Sequence, residues 1–390
     1  MMYHFDQGAD RKGTNCLKWD QTEAYFGKKD LLPLWIADMD FPLAPGIRQK
    51  LQERLDHGVF GYATLSPRYY QAVVSWMQRR HQYPIQPEWI TYTAGVVPAL
   101  YMAVEAVTDP GDQVMILTPV YGPFFRSIQE QGRELVGVPL SHDGQGYYRL
   151  DLAAMEAAVT DRTKALLFCS PHNPVGRVWS WDELQQVVEF CRRHDLVIID
   201  DEIHNDLVYA PDKFVTLGRL GPEAEARAII CTAITKTFNL ADLQVSNILI
   251  PDPTLREQFR KVAQRYHVTP HAFSEPALLG AYEQAEDWLD ELLVYLKGNI
   301  DFFCEALNGG RLPLSCWKPE GTYLVWVDCR GLGYTDTELQ SFFVEQCGLA
   351  VNPGTDFGPD WAQYARFNLA CPRSIVKEAL DRIAAAIDRR

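Results

Sequence analysis

Five short apolar runs in the middle of the chain, with stretches of helical periodicity between them, limit what it can fold into. They fall at 113–117, 164–169, 196–200, 228–231 and 245–250. Each is apolar on consecutive rather than alternate residues, which predicts strands covered on both faces. Between them, 181–194 reads as an amphipathic helix, with Ser180 as N-cap and Glu183 closing a capping box. This order predicts an α/β fold with a mostly parallel central sheet and helices on both sides. Ligands of such sheets bind beyond the carboxyl ends of the strands. Past about residue 286 the pattern changes: a long helix candidate at 285–307, strand-like 322–327, a helix at 336–347, strand-like 367–370 and a final helix. With 390 residues the chain is too long for one core, and two domains are expected. The large one spans 46–285; a smaller α+β domain joins 1–45 to 286–390.

Composition closes off several classes of function. A formal charge of -14 without any Lys/Arg run argues against nucleic-acid binding. No stretch approaches the roughly 18 apolar residues that a bilayer span needs, so no membrane association is expected. The polar segment 1–20 lacks the apolar centre of a signal peptide. Nine cysteines without C-x-x-C spacing suit a reducing compartment, so the expected location is cytoplasmic.

Three residues then stand out at the ends of apolar runs. Asn173 lies in Ser170-Pro171-His172-Asn173-Pro174-Val175-Gly176-Arg177, after 164–169. Asp201 closes Leu196-Val197-Ile198-Ile199-Asp200-Asp201. Lys236 lies in Cys231-Thr232-Ala233-Ile234-Thr235-Lys236-Thr237-Phe238-Asn239. An amine, a carboxylate and an amide at neighbouring strand ends match the needs of pyridoxal phosphate (PLP). Its aldehyde takes a lysine, its ring nitrogen a carboxylate, and its phenolic oxygen a donor such as Asn173. A phosphate would suit the free N–H groups of Val96 and Val97, where Gly95 and Pro98 mark a helix start. The hydroxyls of Thr235 and Thr232 would assist. By itself that motif more often marks a plain helix start. Tyr121, after another strand, either stacks on the ring or packs in a turn. Asp200 to Asp206 carries carboxylates and one imidazole, His204, that could hold a metal, but no second spacing completes such a site; no metal is expected. Neither G-x-G-x-x-G nor G-x-x-x-x-G-K-[ST] occurs in the context that nucleotide binding needs. Arg366 is a solvated arginine by default, or a bidentate partner for an amino-acid carboxylate.

Together these segments resemble the fold-type I PLP-dependent enzymes, the aspartate aminotransferase superfamily. Within it they are most similar to the MalY/PatB group of cystathionine β-lyases and cysteine C–S lyases. Trp35-Ile36-Ala37-Asp38-Met39-Asp40-Phe41, Asp201-Glu202-Ile203-His204 and Thr235-Lys236-Thr237-Phe238-Asn239-Leu240 carry the narrower match. The resemblance implies that Lys236 is the catalytic, cofactor-bearing lysine and that Asp201 pairs with the ring nitrogen. Asn173 contacts the phenolic oxygen and Tyr121 stacks on the ring. His204 stands where aminotransferases carry a tyrosine. Arg366 holds the substrate carboxylate, next to Asn173. Tyr62 would reach the phosphate and substrate of a neighbouring subunit, implying a homodimer with active sites at the interface. One departure is Asp242, where the group usually has glycine; a carboxylate near a phosphate is unfavourable unless it points away.

The activity implied is a C–S β-lyase, cleaving cystathionine or a related S-substituted cysteine to pyruvate, ammonia and a thiol. The alternative is a class I/II aminotransferase acting on a small or aromatic amino acid. Both share the residues above. A third reading is regulatory, since one branch of the group binds a transcription activator.

Overall fold

A computed structural model describes residues 2–144, 146–210 and 213–389. Its large sheet has seven strands. In spatial order they are Ile90–Thr93, Ser246–Leu249, Ala228–Ala233, Val197–Asp201, Thr163–Cys169, Gln113–Thr118 and Glu134–Pro139. All run parallel except Ser246–Leu249, which is antiparallel to both neighbours. The α/β expectation holds, with one directional correction. The connection from Ala233 to Ser246 holds only a helical turn, Ile234–Thr237, and a 3-10 turn, Ala241–Leu243. A parallel return needs a full crossover helix, so the chain doubles back instead.

Residues alternate between the two faces of this sheet. Leu167, Ile199, Ile229 and Ile248 face a core shared with the helices Val96–Val107 and Pro253–Arg265. Leu166, Ile198, Ile230 and Leu249 face the opposite core, with Trp76, Leu184, Val187 and Trp288. Both faces are dry, which explains the unbroken apolar runs. The helix expected at 181–194 is Trp181–Arg193, and both halves of its Ser180/Glu183 capping box form.

Two strands escaped the sequence pattern. Glu134–Pro139 is an edge strand that is mostly open to solvent, so it has no continuous apolar signature. Ile90–Thr93 has only four residues.

A second, antiparallel sheet joins Ser315–Cys316, Leu324–Asp328, Tyr364–Asn368 and Asn352–Pro353. It packs on the helices Glu286–Asn308 and Arg373–Asp388. Leu32–Pro33 pairs in parallel with Leu349–Ala350, so the N-terminal segment is tied to this part of the chain. The helix expected at 336–347 is α-helical only over Asp336–Ser341. It continues as a π-helix, Phe342–Cys347, and ends at left-handed Gly348.

Candidate functional site

The parallel strands bring their carboxyl ends to one edge of the large sheet, and the singled-out residues gather there. Asp201 ends Val197–Asp201, Lys236 sits in the turn after Ala228–Ala233, and Asn173 lies just past Thr163–Cys169. Tyr121 follows Gln113–Thr118, and Val96 opens the helix after Ile90–Thr93. From the second sheet Arg366 reaches across, its Nη1 donating to Asn173 Oδ1 at 3.1 Å. Its Nη2 donates to Trp35 O at 2.8 Å and Asn352 Oδ1 at 2.7 Å. With Oδ1 occupied, the Asn173 amide offers its N–H₂ as a donor, as a phenolic oxygen requires.

Burial sets the electrostatics. It lowers the Lys236 amine to about 8, Arg366's positive charge adding to the effect and Asp38 and Asp201 opposing it. It raises the Asp201 carboxyl to about 7, against the Ile203 N–H bond and Lys236. Arg366 is lowered by the same burial to about 10. His204 is pushed well down by burial, then by Lys236 and Arg366, so its imidazole is neutral. Its ring meets Tyr323 edge-on at 5.9 Å, and its Nδ1 is buried without a partner. An amine near neutrality beside a costly carboxylate is the signature of a reactive site.

The segment 35–41 frames the site with its backbone. Ala37 O accepts from Lys236 Nζ at 2.5 Å and from Tyr323 OH at 2.9 Å. Asn368 Nδ2 donates to Asp38 O at 2.7 Å. The Asn239 amide, at left-handed φ 56, bonds Met39 N, Met39 O and Phe41 O. That fixes the turn carrying Lys236 against 35–41. Thr237 Oγ1 adds a bond to buried Asp206, which also accepts from Trp76 and pairs with His81.

Asp40 anchors the other end of the segment, accepting from Arg11 at 2.8 Å and from Lys18 and Trp19 at 2.9 Å. Lys18 is completely buried. Asp40→Ala therefore leaves buried Lys18 only Asp38, whose Oδ1 lies 3.6 Å from its Nζ, and a loss of about 3 kcal/mol in stability is expected. Urea titration checks it; a midpoint within error of the wild type would refute it.

Val96 and Val97 are the first residues of Val96–Val107, which has no side-chain cap. Gly95 precedes them at φ 106, a conformation that a side chain would strain. The first-turn N–H groups thus have no side-chain cap at the same edge as Lys236, where a ligand oxygen would suit them. Thr235 is buried in the lysine's turn. Thr232 requires a correction: its hydroxyl donates to Asn247 O at 2.9 Å, inside the sheet. Ser246, not singled out by sequence, lies at this edge opposite Thr93 and Ala233, its hydroxyl buried and unpartnered. Asp242 is exposed, so its carboxylate keeps contact with solvent. Tyr62 is not brought to the cluster; it stands wholly exposed on an exposed loop with Val59 and Phe60.

The acidic run 200–206 is dispersed by strand alternation. Asp201 faces the site, whereas Asp200 and Glu202 pair on the opposite face, both raised by burial. Among the described residues no group of three His, Cys, Asp or Glu side chains is arranged to hold a metal. No described helix is long and apolar enough to cross a membrane.

A cavity of about 810 Å³ opens onto Tyr121, Trp35 and Arg366, a volume suited to a small ligand. The donor set fits PLP: an amine for the aldehyde, a buried carboxylate with no ion pair among the described residues, an amide N–H₂ and an uncapped helix start.

Comparisons with known proteins agree with this chemistry. Residues 29–383 match the family described as aminotransferase class I and II. The cystathionine β-lyase PatB of Bacillus subtilis is 39% identical over 387 residues, covering 98% of this chain and 100% of that one. Protein MalY of Escherichia coli is 32% identical over 390 residues, covering 99% of each. The crystal structure of cystalysin from Treponema denticola, which contains PLP, superposes with a TM-score of 0.95 at 35% identity, covering 100% of both chains.

Proposed function

The chain belongs to the class I and II aminotransferase family, and from that premise we infer a PLP-dependent C–S β-lyase. It cleaves cystathionine or a related S-substituted cysteine to pyruvate, ammonia and a thiol. The observation that carries this reading is the Lys236 amine, lowered toward neutrality and grouped with Asp201, Asn173 and Arg366. The full-length similarity to PatB favours lyase over transaminase chemistry.

When bound, PLP supplies an electron sink for the pair left at the substrate Cα. The protein's own residues do the rest. Arg366 takes the substrate α-carboxylate in a fork braced by Asn173 and Asn352, which fixes the Cα–H direction. Lys236 would anchor the cofactor, and its amine would take the substrate Cα proton as general base. Asp201 would set its negative charge toward the ring nitrogen. Tyr121 would cover the ring, and neutral His204 adds no charge that would compete with Arg366. The first turn at Val96 and Val97, with Thr235, would hold the phosphate. The thiolate then leaves from Cβ, and water converts the remaining enamine to pyruvate and ammonia.

Residues 46–285 are proposed as the PLP-binding domain and 1–45 with 286–390 as the smaller one. A homodimer is proposed in which Tyr62 completes the partner's site for phosphate and substrate. The exposure of Val59, Phe60 and Tyr62 supports it. A cytoplasmic location is proposed because all nine cysteines are free.

The test is turnover of L-cystathionine by PLP-loaded protein without any keto acid. Pyruvate and homocysteine are expected in equal amounts. Turnover that appears only when a keto-acid acceptor is added would replace this reading with the aminotransferase one.

A further inference from the structure

The cavity is larger than the reacting end of a cysteine derivative requires, and its outer walls differ in character. One is apolar, formed by Phe26, Trp35, Phe343 and Val344. The other carries charges of alternating sign. Arg366 lies at the inner end and holds Asn352 Oδ1; Asn352 Nδ2 in turn donates to Asp356 Oδ2 at 3.1 Å. Beyond Asp356 comes Arg126, on the helix Gly122–Gln129. That helix packs closely on the Asp356 turn: a Cβ at Gly122 would lie 3.0 Å from the Asp356 carbonyl.

The two outer charges differ from the others on this rim in being available. Glu345 is held by Lys28 at 2.8 Å. Arg126 has no carboxylate partner among the described residues, although it lines the cavity. Asp356 is bonded only through one oxygen to a neutral amide. A guanidinium and a carboxylate left exposed in the same cavity as Arg366 match a ligand with both signs at its far end. The apolar wall opposite suits the methylenes and sulfur between the two ends.

We propose that Arg126 and Asp356 select thioether substrates whose sulfur substituent ends in an amino-acid head. Arg126 binds the distal carboxylate and Asp356 the distal ammonium, while Arg366 holds the proximal carboxylate. This rests on the C–S lyase reading and names the substrate class within it. S-alkyl cysteines, which lack the head, gain nothing from either residue.

The experiment measures kcat/KM for pyruvate release by the holoenzyme, its Arg126→Gln and its Asp356→Asn variants. The substrates are L-cystathionine, S-carboxyethyl-L-cysteine and S-methyl-L-cysteine. In Arg126→Gln the preference for cystathionine over S-methylcysteine is expected to fall about five- to tenfold, mainly through KM. S-carboxyethyl-cysteine, with a distal carboxylate but no amine, should lose preference in Arg126→Gln and keep it in Asp356→Asn. An unchanged ratio, or equal losses on all substrates, overturns the proposal. If the wild type releases pyruvate from none of them, the lyase reading fails. Titrating the cofactor's visible spectrum with the same compounds still decides the Arg126 assignment, because equal ratios of Kd in wild type and variant would reject it.

Discussion

Lys236→Ala is expected to abolish lyase turnover, with a loss of at least about 10⁴-fold in kcat, because one amine serves as covalent anchor and general base. The structure gives that amine a specific setting. Burial lowers it to about 8, so roughly a tenth is unprotonated at pH 7 and able to form the covalent bond, far more than for an ordinary lysine. Its hydrogen bond to Ala37 O aims it at the cleft. The variant should also lose the shifted visible absorbance of the covalently bound cofactor and release PLP on dialysis. Lys236→Arg keeps a cation but removes the nucleophile, and should fail equally. Normal folding of both variants is read from circular dichroism, since the removed amine contributes only a carbonyl bond to the native structure. A variant that retains both the absorbance and turnover would reassign the anchor.

The sequence made the layered sheet legible because dry strands must be apolar on both faces, and 164–169 and 228–231 are. It also made Asn173, Asp201 and Lys236 legible, since each side chain carries its own chemistry at the end of such a run. What it concealed follows from the same physics. The segment 35–41 acts mainly through main-chain carbonyls, which every residue type possesses, so only its family resemblance drew notice. Asn239 and Asn368 serve as clamps on those carbonyls, and nothing distinguishes a clamping asparagine from one in a turn. The reversed strand Ser246–Leu249 was hidden because direction depends on the length and shape of the preceding connection, not on apolar content. Thr232 looked available for phosphate until its register with Asn247 placed its hydroxyl inside the sheet. Arg126 was one more charge on a short helix. Its isolation from other charges is visible only in three dimensions.

Asp201→Asn is expected to have opposite effects on activity and on the stability of cofactor-free protein. With PLP bound as proposed, the carboxylate would face a ring nitrogen that must stay protonated to draw electrons, and an amide does not supply that charge. Removing one member of a buried charge pair costs about 3–5 kcal/mol, equivalent to about 10²- to 10⁴-fold in kcat. Without cofactor the sign reverses. Burial raises Asp201 to about 7 from an ordinary 3.8, so between those values the native state binds the proton more tightly than the unfolded chain. Stability from this group is therefore complete below about pH 4 and declines as pH rises toward 7, with no further change above. Asparagine does not titrate, so the cofactor-free variant should overtake the wild type across that interval. The gain at pH 8 is on the order of 4 kcal/mol. Adding PLP should remove the advantage, because only the wild type then gains a buried partner for its charge. Thermal melts at pH 4.5, 6 and 8, with and without PLP, measure all of this. Parallel curves for the two proteins would show that the Asp201 carboxylate is not held at a cost for the cofactor.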